Sequence, residues 1–221
     1  MYTVQPEFAD RREAGRRLAI ALEHLAANHP LILALPRGGV PVAAEVARSL
    51  GADLDLLIVR KLGAPGNEEL GIGAVIDGAA PHLVLNEDVV RQLTPSPTYV
   101  RGELQRQLAE IERRRRAYLG DAKPISPTDR TVILIDDGIA TGGTIRAALE
   151  GLRKAKPKRL VLAVPVAPAE TLAALRPLCD ELVCLHQPRP FFGVGAHYLR
   201  FDQTSDTEVV QILASFREHA R

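Results

Sequence analysis

Several things are scarce or missing in this 221-residue chain, and each scarcity narrows its chemistry. There is no Trp, and Phe, Tyr and Trp together make up 4% of residues, too few for a broad stacking surface on single-stranded nucleic acid. Net charge is also nearly absent: 28 Lys and Arg face 27 Asp and Glu, leaving +1, which is not the basic footprint of a dedicated nucleic-acid binder. The only two cysteines, Cys179 and Cys184, cannot build a disulfide framework and lack zinc-ligand spacing, so they read as small apolar residues in or beside a strand. No apolar run approaches the ~18 residues of a membrane span, and the N-terminus MYTVQPEFADRREAG is charged where a signal peptide needs an apolar stretch. The expectation is a cytoplasmic protein that does not engage a membrane.

What is present is alternation. From Asp10 to Ala27, Leu18, Ala21, Leu22 and Leu25 recur at helical spacing. Leu31–Leu35 is a short apolar run ending in Pro36-Arg37-Gly38-Gly39, and Val40–Leu50 is a second helix with a natural stop at Gly51. Leu54–Val59 reads as a strand, Lys61–Asn67 (KLGAPGN) as a loop, and Gly71–Ile76 with His82–Leu85 as short strands around a turn at Asp77-Gly78. Further on come strands at Thr131–Ile135, Arg159–Val164 and Glu181–Leu185. They are interleaved with helices at Gly143–Ala155 and Pro168–Leu175, and the tail from Thr204 to Arg221 reads as a helix. Apolar strands alternating with amphipathic helices predict an α/β fold with a central, mostly parallel sheet flanked by helices. A single domain over residues 1–221 is expected, with a charged helical insertion at about 86–120.

In such sheets the loops that leave the carboxyl ends of strands build the site. One of them is unusual: Val132-Ile-Leu-Ile runs into Asp136-Asp137, then Gly138-Ile-Ala140-Thr141-Gly142-Gly143-Thr144, then a helix. Glycines let backbone N–H groups converge on one anion, the helix N-terminus adds its dipole, and two threonines add hydroxyls. Two carboxylates beside an anion hole would repel a phosphate, by ~1 kcal/mol per pair under water-like screening. They make sense facing sugar hydroxyls or a cation, so a ribose 5-phosphate satisfies both halves. Competing phosphate motifs fit less well. No lysine lies between Arg130 and Arg153 for a Walker A loop, and neither Gly71-x-Gly73 nor Gly193-x-Gly195 is completed by a third glycine.

This segment resembles the motif with which type I phosphoribosyltransferases bind 5-phosphoribosyl-1-pyrophosphate (PRPP). The resemblance implies that Asp136 and Asp137 hold the ribose hydroxyls, directly or through Mg²⁺, while Ala140, Thr141, Gly142, Gly143 and Thr144 hold the 5-phosphate. Pro36-Arg37-Gly38-Gly39 resembles the family's pyrophosphate loop, in which a non-proline cis peptide is often found, and Arg37 offers a planar fork suited to phosphate. Arg60-Lys61 resembles the Arg-Lys pair of adenine-type members and would meet the leaving pyrophosphate. The loop 63–70 is placed like the family's mobile loop, with Glu68 or Glu69 as a general acid or base. Taken in order along 10–213, these segments are similar to one subgroup of uncharacterised phosphoribosyltransferases.

A small hood-like segment at about 186–203 occupies the place expected to shape an acceptor pocket, with Phe191, Phe192 or Tyr198 stacking on a planar base. The implied activity is Mg²⁺-dependent transfer of phosphoribose from PRPP to a nitrogenous, base-like acceptor with release of pyrophosphate. Asp136, Asp137, Lys61 and Glu69 would be the catalytic residues. The alternative is a PRPP-binding regulatory or accessory protein without turnover. The family's habits suggest a homodimer, with the insertion at its contact. Arg113–Arg116 lies among Glu103, Glu110 and Glu112 and reads as a solvated helix face, and the six histidines show no metal spacing.

Overall fold

The structure, a computed structural model, describes residues 5–77 and 81–217, with the backbone alone at 68 and 69. The expected turn at Asp77-Gly78 and the last residues of the expected tail helix lie in part outside the described residues.

Five parallel strands form the main sheet in the order β2-β1-β6-β7-β8. They are β1 (Leu31–Ala34), β2 (Asp53–Leu56), β6 (Thr131–Ile135), β7 (Arg159–Val166) and β8 (Glu181–His186). β1 and β6 are buried along their whole length, as their unbroken apolar runs require of strands covered on both faces. Their side chains alternate between two cores. Ile32, Ala34, Ile133, Ile135, Val161 and Ala163 face one core, with Leu18, Val42 and Val209. Those three belong to α1 (Arg11–Ala21), α2 (Gly39–Leu50) and α7 (Asp206–Arg217). Leu31, Leu33, Val132, Leu134, Leu160 and Leu162 face the other, packed against Ile145, Leu149 and Leu172. These come from α5 (Gly143–Lys154) and α6 (Ala169–Leu175). The strand period of two thus decides which helices each strand residue meets.

A second, three-stranded antiparallel sheet is made by β3 (Val59–Ala64), β4 (Asn67–Ile76) and β5 (His82–Leu85). This corrects two sequence expectations. KLGAPGN is not a loop: Lys61–Ala64 is strand, and Pro65-Gly66 is the turn of a hairpin, with Gly66 at φ +75°. The apolar stretch Leu54–Val59 does not form one strand either. It ends with β2 at Leu56, and Val59 opens β3 in the other sheet.

The charged stretch folds as α3 (Glu87–Leu93) and α4 (Pro97–Leu119), the latter capped by Ser96 Oγ accepting from Tyr99 N–H at 3.1 Å. Helix α4 is fastened to the body by a buried ion triad. Arg115 donates to Asp77 Oδ2 at 2.6 Å and to both oxygens of Asp55 at 2.9 and 3.1 Å. At the same end Tyr118 donates to Asp206 at 2.8 Å, while Tyr99 donates to the Gly63 carbonyl at 3.0 Å and so ties the insertion to the hairpin. Arg113 and Arg114 pair with Glu110, as expected of a solvated face, whereas Arg115 of the same run departs from that expectation by turning into the buried triad.

Candidate functional site

The order β2-β1-β6 puts a topological switch between β1 and β6, because the chain leaves β1 toward β2 on one side and later enters β6 on the other. In open α/β sheets the crevice above such a point receives ligands. Here it holds both singled-out loops: 36–39 leaves β1, and 136–144 leaves β6. Strand pairing aligns Ala34 with Ile135, and Leu35 N–H donates to the Ile135 carbonyl at 3.0 Å.

Close packing of these loops explains the two glycines of Pro36-Arg37-Gly38-Gly39. A Cβ on Gly39 would lie 2.8 Å from the Ile135 carbonyl and 2.9 Å from Asp136 Cα. The backbone of the first loop therefore rests directly on the acidic pair. The Pro36–Arg37 peptide is cis. Arg37 reaches Asp206 Oδ1 at 3.4 Å with about a third of its side chain exposed, beside the mouth of the crevice.

Asp137 is held at three points. Its Oδ2 accepts from Arg11 Nε at 2.8 Å, its N–H donates to Asp136 Oδ1 at 2.9 Å, and its carbonyl accepts from the Tyr198 hydroxyl at 2.6 Å. Burial, and then the adjacent charge of Asp137, raises the Asp136 carboxyl well above the usual range. None of these three bonds uses Asp137 Oδ1.

Beyond the acids, Gly142 takes φ +79°, a left-handed geometry at the N-cap of α5, and the first intrahelical bond runs from Arg146 N–H to its carbonyl at 2.8 Å. The N–H groups of Gly143, Thr144 and Ile145 thus precede the helical ladder. Ala140, Thr141, Gly143 and Thr144 are exposed, and Thr171 fixes the turn from below by donating to the Ala140 carbonyl at 2.8 Å. A cradle of free donors faces solvent at the positive end of a twelve-residue helix.

The Arg60-Lys61 pair lies in β3, where both residues border a cleft of about 570 Å³ beside α4. Lys61 lines a cleft of about 370 Å³ shared with Gly143, Thr144 and Arg146, on the side of the cradle. Arg60 donates to Gln107 of α4 at 2.9 Å. Through this bond Arg60, expected to meet pyrophosphate, also touches the insertion. Glu69 lies in β4, and its side chain and that of Glu68 fall outside the described residues.

Of the three aromatics expected to stack on an acceptor, Phe192 is 60% exposed and Phe191 lies against His197 at 5.7 Å. Tyr198 is buried between Phe8 and Phe201, at ring distances of 5.4 and 5.0 Å, with its hydroxyl spent on Asp137. It supports the acidic turn and presents no face to a ligand. Arg11 is the functional neighbour that sequence reasoning missed, because a lone arginine on an amphipathic helix carries no motif.

An acidic pair against a glycine turn is thus followed by a solvent-facing donor cradle at the switch point of an open α/β sheet. Residues 8–200 match the family profile described as the phosphoribosyl transferase domain, and the chain belongs to that family. The protein TT1426 from Thermus thermophilus, of known crystal structure, is 43% identical over 95% of this chain and 99% of its own, with a TM-score of 0.79. A Mycobacterium tuberculosis (strain H37Rv) protein provisionally named a phosphoribosyl transferase is 45% identical over 206 residues, 93% of this chain. The chain spans 46% of that relative's length, less than half. A Neisseria gonorrhoeae protein solved with bound ppGpp shares the fold at 12% identity and a TM-score of 0.52, over 97% of this chain and 99% of its own.

Proposed function

We propose that this protein binds Mg²⁺-PRPP and transfers its phosphoribosyl group to a nitrogenous, base-like acceptor, releasing pyrophosphate. The observation that carries this reading is the juxtaposition of Asp136 and Asp137 with the open turn from Ala140 to Thr144. Hydroxyl-seeking carboxylates and phosphate-seeking N–H groups lie side by side, spaced along one strand-to-helix turn.

In this reading Thr141–Thr144 grips the 5-phosphate and the two aspartates accept hydrogen bonds from the ribose hydroxyls. Arg37 and Lys61 offset the charge of the departing pyrophosphate. A nitrogen lone pair forms the new bond to C1 as the bond to the pyrophosphate oxygen breaks, and the electron pair leaves with pyrophosphate. Glu69 is the proposed proton acceptor.

Among the described residues no group of three or more His, Cys, Asp and Glu could hold a metal by itself. Two hard carboxylates suit a Mg²⁺ that keeps most of its waters and arrives on the diphosphate, with Asp136 and Asp137 as its protein-side ligands through water or the ribose hydroxyls. When bound, the ion would neutralise charge on the leaving group.

The test is pyrophosphate release from PRPP and Mg²⁺ across a panel of purine, pyrimidine and other heterocyclic bases. Release with at least one acceptor, reduced on the order of 10²–10³-fold by Lys61→Ala, is expected for a transferase. Saturable PRPP binding with no release from any acceptor would instead identify a non-catalytic PRPP binder.

A further inference from the structure

Outside the motifs, one side chain reaches into the acidic pair from a distant part of the sequence. Arg11 lies at the start of α1, 126 residues before Asp137, and is largely buried, with 12% of its side chain exposed against 14% for Asp137. It uses its fork twice: Nε donates to Asp137 Oδ2 at 2.8 Å, and one terminal nitrogen donates to the Asp202 carbonyl at 2.7 Å. Its guanidinium carbon also sits 3.9 Å over the ring of Phe201.

That ring is one rung of a ladder. Phe201 stacks on Tyr198 at 5.0 Å, Tyr198 meets Phe8 at 5.4 Å, and Arg17 covers Phe8 at 4.7 Å. The sequence Arg11, Phe201, Tyr198, Phe8, Arg17 thus places a cation at each end of a three-ring centre, an attractive arrangement for ring quadrupoles. Two rungs touch Asp137 directly: Arg11 at the carboxylate and Tyr198 at the carbonyl. Both ends of the residue are therefore fixed from the same stack, and neither of these two bonds engages Oδ1.

We infer that Arg11 is a positioning residue, which locks the Asp137 carboxylate through Oδ2 so that Oδ1 serves the ligand, and which ties that orientation to the segment Phe201–Asp202. The inference rests on the proposed PRPP reading. An exposed ion pair would contribute little, but a fork that is largely buried, stacked and doubly bonded restricts its partner to one orientation. A lysine cannot reproduce this, because one ammonium does not satisfy both acceptors in a plane or stack on the ring.

Calorimetric titration of Mg²⁺-PRPP into the whole protein, its Arg11→Gln, Arg11→Lys and Asp137→Asn variants, and the double variant tests the inference, with a thermal melt of each. Arg11→Gln is expected to weaken binding at least tenfold while its melting temperature, lowered by loss of a largely buried ion pair, still leaves it fully folded at the titration temperature. Arg11→Lys should restore only part of the loss. The double variant should bind no more weakly than Asp137→Asn alone, because the two residues act as one unit. Should Asp137→Asn lose binding while Arg11→Gln keeps it, or should the two losses simply add, the positioning role is overturned while the PRPP reading stands. If Arg11→Gln does not fold, Arg11→Lys decides, since full affinity there would overturn the role of the fork. Undiminished affinity in Asp137→Asn would instead remove the PRPP reading itself.

Discussion

Gly38 and Asp137 are packed so closely that a Cβ on Gly38 would fall 2.1 Å from Asp137 Oδ2 and 2.6 Å from its carboxyl carbon. The loop after β1 is thereby a template for the carboxylate after β6. Gly38→Ala must displace one or the other. The expected outcome is a loss of roughly 1–3 kcal/mol in stability from overpacking. PRPP affinity should fall about tenfold or more, since ~1.4 kcal/mol of lost interaction is one decade. Denaturant unfolding and calorimetry on the same variant check both.

Tyr198→Phe keeps the ring between Phe8 and Phe201 but removes the donor to the Asp137 carbonyl. An unsatisfied acceptor of this kind costs roughly 1–3 kcal/mol. The account predicts a measurable stability loss and weaker PRPP binding, without the collapse that a large cavity would bring. If Tyr198 were an acceptor-stacking residue, Tyr198→Phe would leave both quantities nearly unchanged.

Arg115→Leu leaves Asp55 and Asp77 buried without their common cation. Stranded charges of this kind destabilise by about 3–5 kcal/mol. For a chain of this size that is a fall in melting temperature of roughly 6–20 °C. Adding Asp55→Asn and Asp77→Asn should return part of the loss, which scanning calorimetry on the single and triple variants would show.

Acid should weaken the ion pairs on the exposed face of α4. Two hydrogen bonds, from Arg113 and then Arg114, lower the Glu110 carboxyl from 4.5 to about 2. A depressed carboxylate contributes stability that is complete above its unfolded value and is lost as pH falls toward the folded one. The pairing of Glu110 with Arg113 and Arg114 is therefore expected to weaken as pH falls from about 4.5 toward 2, with only a small change in overall stability because the group is at the surface. Glu110→Gln should remove this group's share of the pH dependence of stability, as followed by denaturant unfolding monitored by circular dichroism at each pH.

Much of this was legible in the sequence, for identifiable reasons. β1, β6 and β7 declared themselves because strands buried on both faces need unbroken apolar runs, and the turn after Asp137 declared itself because its glycines, acids and threonines have no simpler use. The hairpin Val59–Ile76 did not: Gly63, Pro65 and Gly66 look like loop, and only pairing with Asn67–Ile76 makes Lys61–Ala64 a strand. Arg11, Tyr198 and the Arg115 triad were hidden for another reason. Each draws its meaning from partners far along the chain, at 126, 61 and 60 positions respectively.

The most direct measurement is a titration of PRPP into the protein with and without Mg²⁺. Saturable binding of one PRPP per chain is expected with Mg²⁺, much weakened when the ion is chelated and abolished by a bulky replacement such as Gly143→Trp in the turn. No heat and no saturation at millimolar Mg²⁺-PRPP, or binding that ignores that replacement, would contradict it.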